Sequence, residues 1–172
     1  MPVLARKITP AKWKRSTELG EDEVGADAVT ADLKTTANTL SFWRCESADP
    51  KHLETAVLAL AASTERPDRL VFVFLDEQHV RTEGLATRDT QGDTPVVSLR
   101  GKHVDVERLD LTRLGKVAQM VANAARAETC HQVSKEQVIA LVTRAVSEGL
   151  VGLEDLKEKM KLAVEQKLQG SR

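Results

Sequence analysis

The residues with the clearest chemical potential close an apolar run. Val71-Phe72-Val73-Phe74-Leu75 leads directly into Asp76-Glu77-Gln78-His79. In nucleotide-hydrolysing enzymes a buried strand ending in Asp-Glu holds Mg²⁺ through the aspartate, while the glutamate activates water. That chemistry also needs a GxxxxGK[ST] loop to cradle phosphates. Gly101-Lys102 is followed by His103 and Gly115-Lys116 by Val117, and neither has the upstream glycine at the right spacing. Nucleotide hydrolysis is therefore set aside. A reduced version stands as an alternative: Asp76, Glu77 and His79 at a strand end are candidate catalytic residues of a metal-assisted hydrolase or nuclease. His52 and His103 could join them, but nothing in the sequence brings them close. The competing reading is a set of solvated charges at the start of a loop. No GxGxxG, GxSxG, HExxH or EF-hand pattern is present, so no metal site and no cofactor is assigned.

A second group lies at the N-terminus. Residues 1–15 hold Arg6, Lys7, Lys12, Lys14 and Arg15 and no acid, and residues 16–32 hold six acids and no base. Basic arms lie along phosphates, and Trp13 between two lysines could stack or wedge. Arg6, Lys7, Lys12, Trp13, Lys14 and Arg15 are thus the candidate contacts to a partner or to nucleic acid. Two other outcomes fit the same residues. The bases could pair with the acids that follow, or the segment could cross the body with Trp13 buried.

Composition narrows the classes. The 172 residues carry 25 bases and 26 acids, for a net charge of -1. That is no general polyanion binder. Aromatic residues make up 3% with no Tyr, and four of the five rings sit in apolar runs, which leaves little for base stacking. Hydrophobic residues at 41% exclude a disordered tail. No apolar run approaches the roughly 18 residues of a membrane span, and the first 15 residues lack a signal-peptide core. Cys45 and Cys130 form no CxxC pair, and Cys130-His131 alone is not a zinc signature. A reducing cytoplasm is the expected setting.

The elements that must position these residues follow from periodicity. Pro2, Pro10, Gly20 and Gly25 punctuate an extended arm and an acidic loop. Residues 28–34 alternate as a strand, 36–38 offer a turn, and Leu40–Cys45 is a second strand of the same hairpin. Asp49-Pro50 starts a helix that ends before Arg66-Pro67. Leu70–Leu75 reads as a fully buried strand, giving a βαβ crossover from Leu40. Residues 76–94 read as a long polar loop, and 96–99 and 104–106 as short strands. Thr112 opens a helix through Ala125. Ser134-Lys-Glu-Gln137 is a capping box, Gly149 ends that helix, and a final helix runs from Leu153 to Leu168.

The expected fold is α+β: a small mixed sheet with a β-hairpin and one βαβ crossover, two helices packed on it, and a C-terminal αα hairpin. The expected division is a charge-blocked arm and acidic loop over 1–32, an α+β core over 33–130 and a helical pair over 131–172. The half-formed catalytic groups and the amphipathic Ala-rich helices favour a non-enzymatic interaction protein, a regulatory or accessory subunit. Its partner is another protein or a second copy, with nucleic acid the alternative through residues 1–15.

Overall fold

A computed structural model describes residues 1–17, 20, 23–127 and 130–170. In chain order the elements are β1 (Val3–Lys7), α1 (Pro10–Thr17), α2 (Ala26–Asp32), β2 (Leu40–Cys45), α3 (Pro50–Ser63), β3 (Leu70–Asp76), α4 (Glu77–Thr82) and β4 (Ala86–Thr90). A 3-10 turn (Val97–Lys102) leads to β5 (His103–Glu107), α5 (Leu111–Arg126), β6 (His131–Val133), α6 (Lys135–Ser147), a second 3-10 turn (Leu153–Asp155) and α7 (Glu158–Gln169). The class is α+β, as expected. The six strands lie in the order β4-β5-β2-β1-β3-β6, and every adjacent pair is antiparallel, so the sheet is antiparallel where a mixed one is expected, because β1 inserts between β2 and β3.

Strand alternation sends successive side chains to opposite faces, and each face has its own core. Val3, Ala5, Trp43, Cys45, Leu70 and Phe72 pack on one face with α3, α6 and α7. Leu4, Phe42, Val71, Val73, Val104 and Val106 pack on the other with α1, α2 and α5. The result is a sheet between two helical layers. Because both faces are covered at β3, its run of apolar residues has nowhere polar to point, as the sequence indicates.

Several expectations are corrected. The N-terminal segment is no free arm. Val3–Lys7 is an interior strand between β2 and β3, because Val3, Leu4 and Ala5 are apolar enough to be buried on both faces. Residues 26–32 are helical. The alternation read there was short and rich in Ala, which favours helix over strand. The turn after it forms where expected: Thr36 bridges Thr39, and Ala37 and Asn38 take the left-handed φ of 52° and 58° that a tight reversal needs. The acids Glu18, Glu21 and Asp22 lie outside the described residues.

β2 and β3 do run parallel to each other, joined through α3, but β1 lies between them and pairs with both. The crossover therefore skips one position. The expected long loop over 76–94 contains α4 and β4. β4 is an edge strand, Ala-Thr-Arg-Asp-Thr, with no apolar alternation to announce it. Residues 97–102 form a 3-10 turn, not a strand.

The C-terminal helices dock. Val138, Val142, Ala145, Met160 and Val164 share a core with Leu53 and Ala56 of α3. The capping box at Ser134 and Gln137 is formed. Gly149, at φ 70°, closes α6 with Leu150 N–H donating to Ala145 at 2.9 Å and Gly149 N–H to Val146 at 3.1 Å, the paired bonds of a left-handed helix stop. The last helix starts at Glu158, five residues later than its apolar pattern implied, because residues 153–155 form the 3-10 turn. α5 is capped by Asp110, whose side chain accepts the Arg113 N–H, two residues ahead of Thr112.

Candidate functional site

The Asp-Glu-Gln-His segment sits where β3 hands over to α4. Asp76 is the helix cap: its Oδ1 accepts the His79 backbone N–H at 2.8 Å. Glu77 is only 7% exposed and is held by two arginines. Arg44 Nε and Nη2 each donate to it at 2.8 Å, and Arg81 Nη2 donates at 2.7 Å. Arg44 reaches further to Asp89 of β4 at 2.7 Å. The hydrogen bonds from Arg44 hold the Glu77 carboxyl below the usual carboxylate range, with Arg81 adding to the effect against the cost of burial. The same hydrogen bonds raise Arg44. A bidentate, charge-assisted pair is among the strongest polar contacts a protein makes.

This arrangement is a clamp. It ties β2, the start of α4 and the edge strand β4 together. A carboxylate kept ionised by two guanidinium groups is a poor proton acceptor near neutral pH. The imidazoles are dispersed. The His52 ring contacts Ser47 at 2.9 Å. His103 contacts Thr90 at 2.6 Å and meets the Trp43 ring edge-on, and burial lowers its pKa. Among the described residues no three His, Cys, Asp or Glu side chains converge as a metal set would. The strand end therefore brings Asp76 and Glu77 next to each other in the chain, but gives each a separate structural partner.

The basic N-terminal residues divide into two groups. Arg6 is inside: its guanidinium donates to the Asp32 and Ser41 carbonyls and lies 5.5 Å from the Phe42 ring centre. Burial pushes it down to about 10, partly offset by Asp32. Trp13 is 1% exposed, and its Nε1–H donates to Asp32 Oδ2 at 2.7 Å. The same carboxylate accepts the Thr9 N–H at 2.6 Å and the Thr9 hydroxyl at 2.8 Å. Lys12 pairs with Asp27 at 3.4 Å. So the bases do meet the acids that follow them, and the aromatic ring is packing. Lys7 and Lys14 are exposed. Arg15 falls on α1, and its side chain lies outside the described set.

Around the turn from β1 into α1 the surface is concave. Two hollows of about 460 and 400 Å³ share Ile8 and Pro10. Lys14 and Arg126 border one, and Lys7 and Arg69 border the other. Their described lining holds four bases, no acid, and an apolar floor that includes Ala11 and Ala125. Sequence reasoning missed Arg69 and Arg126. Each is an isolated base, one ahead of β3 and one ending α5, and only the fold places them beside residues 7–14.

Comparison with protein-family models, with curated proteins and with solved structures finds no match to this chain.

Proposed function

We propose that the protein is a non-enzymatic interaction protein, an accessory or regulatory subunit, whose working surface is the basic groove at the β1–α1 turn. The observation that carries this reading is the sign of the groove. In a chain of net charge -1, Lys7, Lys14, Arg69 and Arg126 border two adjoining hollows that share Ile8 and Pro10. Arg69 donates to Gln132 and Arg126 to Asn123 and to the Gly20 and Glu23 carbonyls, which hold both arginines at the rim, and the strand-end carboxylates are engaged within the fold. Both cysteines are free, which suits a reducing compartment such as the cytoplasm. Among the described residues no helix is long and apolar enough to cross a membrane.

The partner is a different molecule in this reading. Of the two outer strands, β4 carries Arg88 and Asp89 and β6 is only the three residues His131–Val133, and charged or very short edges resist strand addition. Size-exclusion chromatography with light scattering, run alone and with extract from the native host, tests the reading. A complex that weakens with salt is expected, and a strict monomer with no partner under any salt condition contradicts it.

A second reading keeps the same groove and makes the partner nucleic acid. The four bases favour it, and steep salt dependence is its signature. Deletion of residues 1–15 is no test of it, because the deletion removes interior strand β1. Charge reversal at Lys7 and Lys14 is the appropriate substitute.

A further inference from the structure

We infer that Ser47 is a nucleophilic serine, with His52 as its base, that takes an acyl group from an activated ester or thioester; this goes beyond the interaction reading and does not depend on it. The site lies in residues 46–49, which turn the chain from the end of β2 into α3. Ser47 Oγ lies 2.9 Å from His52 Nδ1 and also accepts the Asp49 N–H at 3.1 Å. On the far side of the ring, His52 Nε2 lies 3.7 Å from Glu46 Oε2. A carboxylate only accepts, so it favours the tautomer with the proton on Nε2. Nδ1 is then left to accept from the Ser47 hydroxyl. A hydroxyl, an imidazole and a carboxylate in that order are the parts of a serine triad, here with the two ring nitrogens exchanged. Such a triad is recognised by geometry and roles, not by sequence position. The chain lacks the flanking glycines of a nucleophile elbow but uses the same place, a turn from strand to helix. Ser47 is half-buried while Glu46, Ala48 and Asp49 around it are exposed, so an acyl donor can reach it.

The chemistry is acyl transfer and not phosphoryl transfer. A phosphoryl group needs cations to hold it, and the charged side chains flanking Ser47 are Glu46 and Asp49. A neutral carbonyl meets no such repulsion. In the step, Ser47 Oγ bonds to the carbonyl carbon as its proton passes to His52 Nδ1. The bond to the leaving group then breaks, and that group takes the proton and departs as the free alcohol or thiol. Nothing is oxidised or reduced, and the product is an acyl ester on Ser47, a covalent modification of the chain. A second hydroxyl–imidazole pair makes the contrast. Thr90 Oγ1 lies 2.6 Å from His103 Nδ1, but that ring is set edge-on against Trp43, and the hydroxyl is the hindered secondary one of threonine.

Acetylation of the full chain by p-nitrophenyl acetate tests the inference. Peptide mass mapping locates the acetyl group, and hydroxylamine cleaves a serine ester while leaving a lysine amide intact. The variants are Ser47→Ala, His52→Gln, Glu46→Gln and Glu46→Asp, with Ser147→Ala on α6 as reference. Circular dichroism melting confirms that each is folded, and His52→Asn replaces His52→Gln if the latter is not. The expected result is a hydroxylamine-sensitive acetyl group on Ser47, lost in Ser47→Ala and unchanged in Ser147→Ala. His52→Gln should slow its formation about a hundredfold. Glu46→Gln should slow it about fivefold at an unchanged melting temperature, with Glu46→Asp restoring part of the rate, as a positioning residue does. Acetyl groups on lysines or the N-terminus alone overturn the inference. So does acetylation of Ser47 that is as fast in His52→Gln as in wild type, since the Ser47–His52 contact is then only part of the start of α3. Neither of those results bears on whether a partner forms a complex, so the interaction reading is tested separately.

Discussion

The clamp at Glu77 and the groove at the β1–α1 turn are both clusters of charge on a strand end, yet they do opposite things with it. At the clamp, Arg44 and Arg81 meet Glu77, and Arg44 also meets Asp89. Every charge has a counter-charge, from β2 and β4 across the fold and from the next turn of α4 for Arg81, so the cluster closes on itself and stabilises the fold. At the groove, Arg6, Lys12 and Trp13 are taken up internally by Asp32 and Asp27, while Lys7, Lys14, Arg69 and Arg126 line a hollow of one sign. The difference teaches that residue type alone does not mark a site: the clamp's charges neutralise one another, whereas the groove's arginines are held by an amide and by carbonyls.

Substitutions can break this comparison, and the largest effect belongs under the groove. Trp13→Ala removes a fully buried ring and orphans part of the Asp32 network. A loss of about 4 kcal/mol in chemical unfolding is expected. A loss below about 1 kcal/mol would mean that Trp13 is surface, and the basic segment an arm after all. Next comes Glu77→Ala, which takes the shared acceptor from Arg44 and Arg81 and leaves Arg44 with Asp89 alone. About 2 kcal/mol of stability should go, with no change in complex formation with a partner. If stability holds and a reaction or metal affinity disappears instead, the clamp was a site.

A pH titration sharpens the same point. The Glu77 carboxyl is depressed in the folded chain, so its contribution is present above the unfolded value of about 4.3 and is lost as pH falls through the lower folded value. Unfolding followed from neutral pH downward should show stability falling in that acidic window. Glu77→Gln should flatten that fall while costing stability at neutral pH. Smaller still is Ser134→Ala, which removes the hydroxyl of the α6 capping box and should lower stability by about 1 kcal/mol. The pair Lys7→Glu with Arg69→Glu removes the exposed Arg69–Gln132 hydrogen bond and should move stability by about 0.5 kcal/mol, the smallest stability effect of the set.

What the sequence disclosed was local. Asp49-Pro50, the Ser134–Gln137 box and Gly149 act within a turn of their own position, and all three stand as read. The buried strand Leu70–Leu75 was legible because six apolar residues in a row leave no polar face. β4 was hidden, since its side chains are fixed by distant partners, Arg88 by Glu107 and Asp89 by Arg44. Val3–Lys7 was hidden by its own neighbours, because the bases on either side masked a strand whose burial depends on β2 and β3. The site divided the same way. Asp76 and Glu77 were found but not their partners, and Lys7 and Lys14 were found but not Arg69 and Arg126, which the fold brings in from other elements.

The most direct test sets the two regions side by side in one binding experiment. Wild type, Glu77→Gln and Lys7→Glu with Arg69→Glu are each mixed with extract from the native host at low salt and followed for complex formation, with folding checked in the same buffer. The account predicts that Glu77→Gln binds as wild type despite its lower stability, and that the groove variant loses about tenfold or more while keeping its stability. Equal binding by all three, or loss confined to Glu77→Gln, would contradict it.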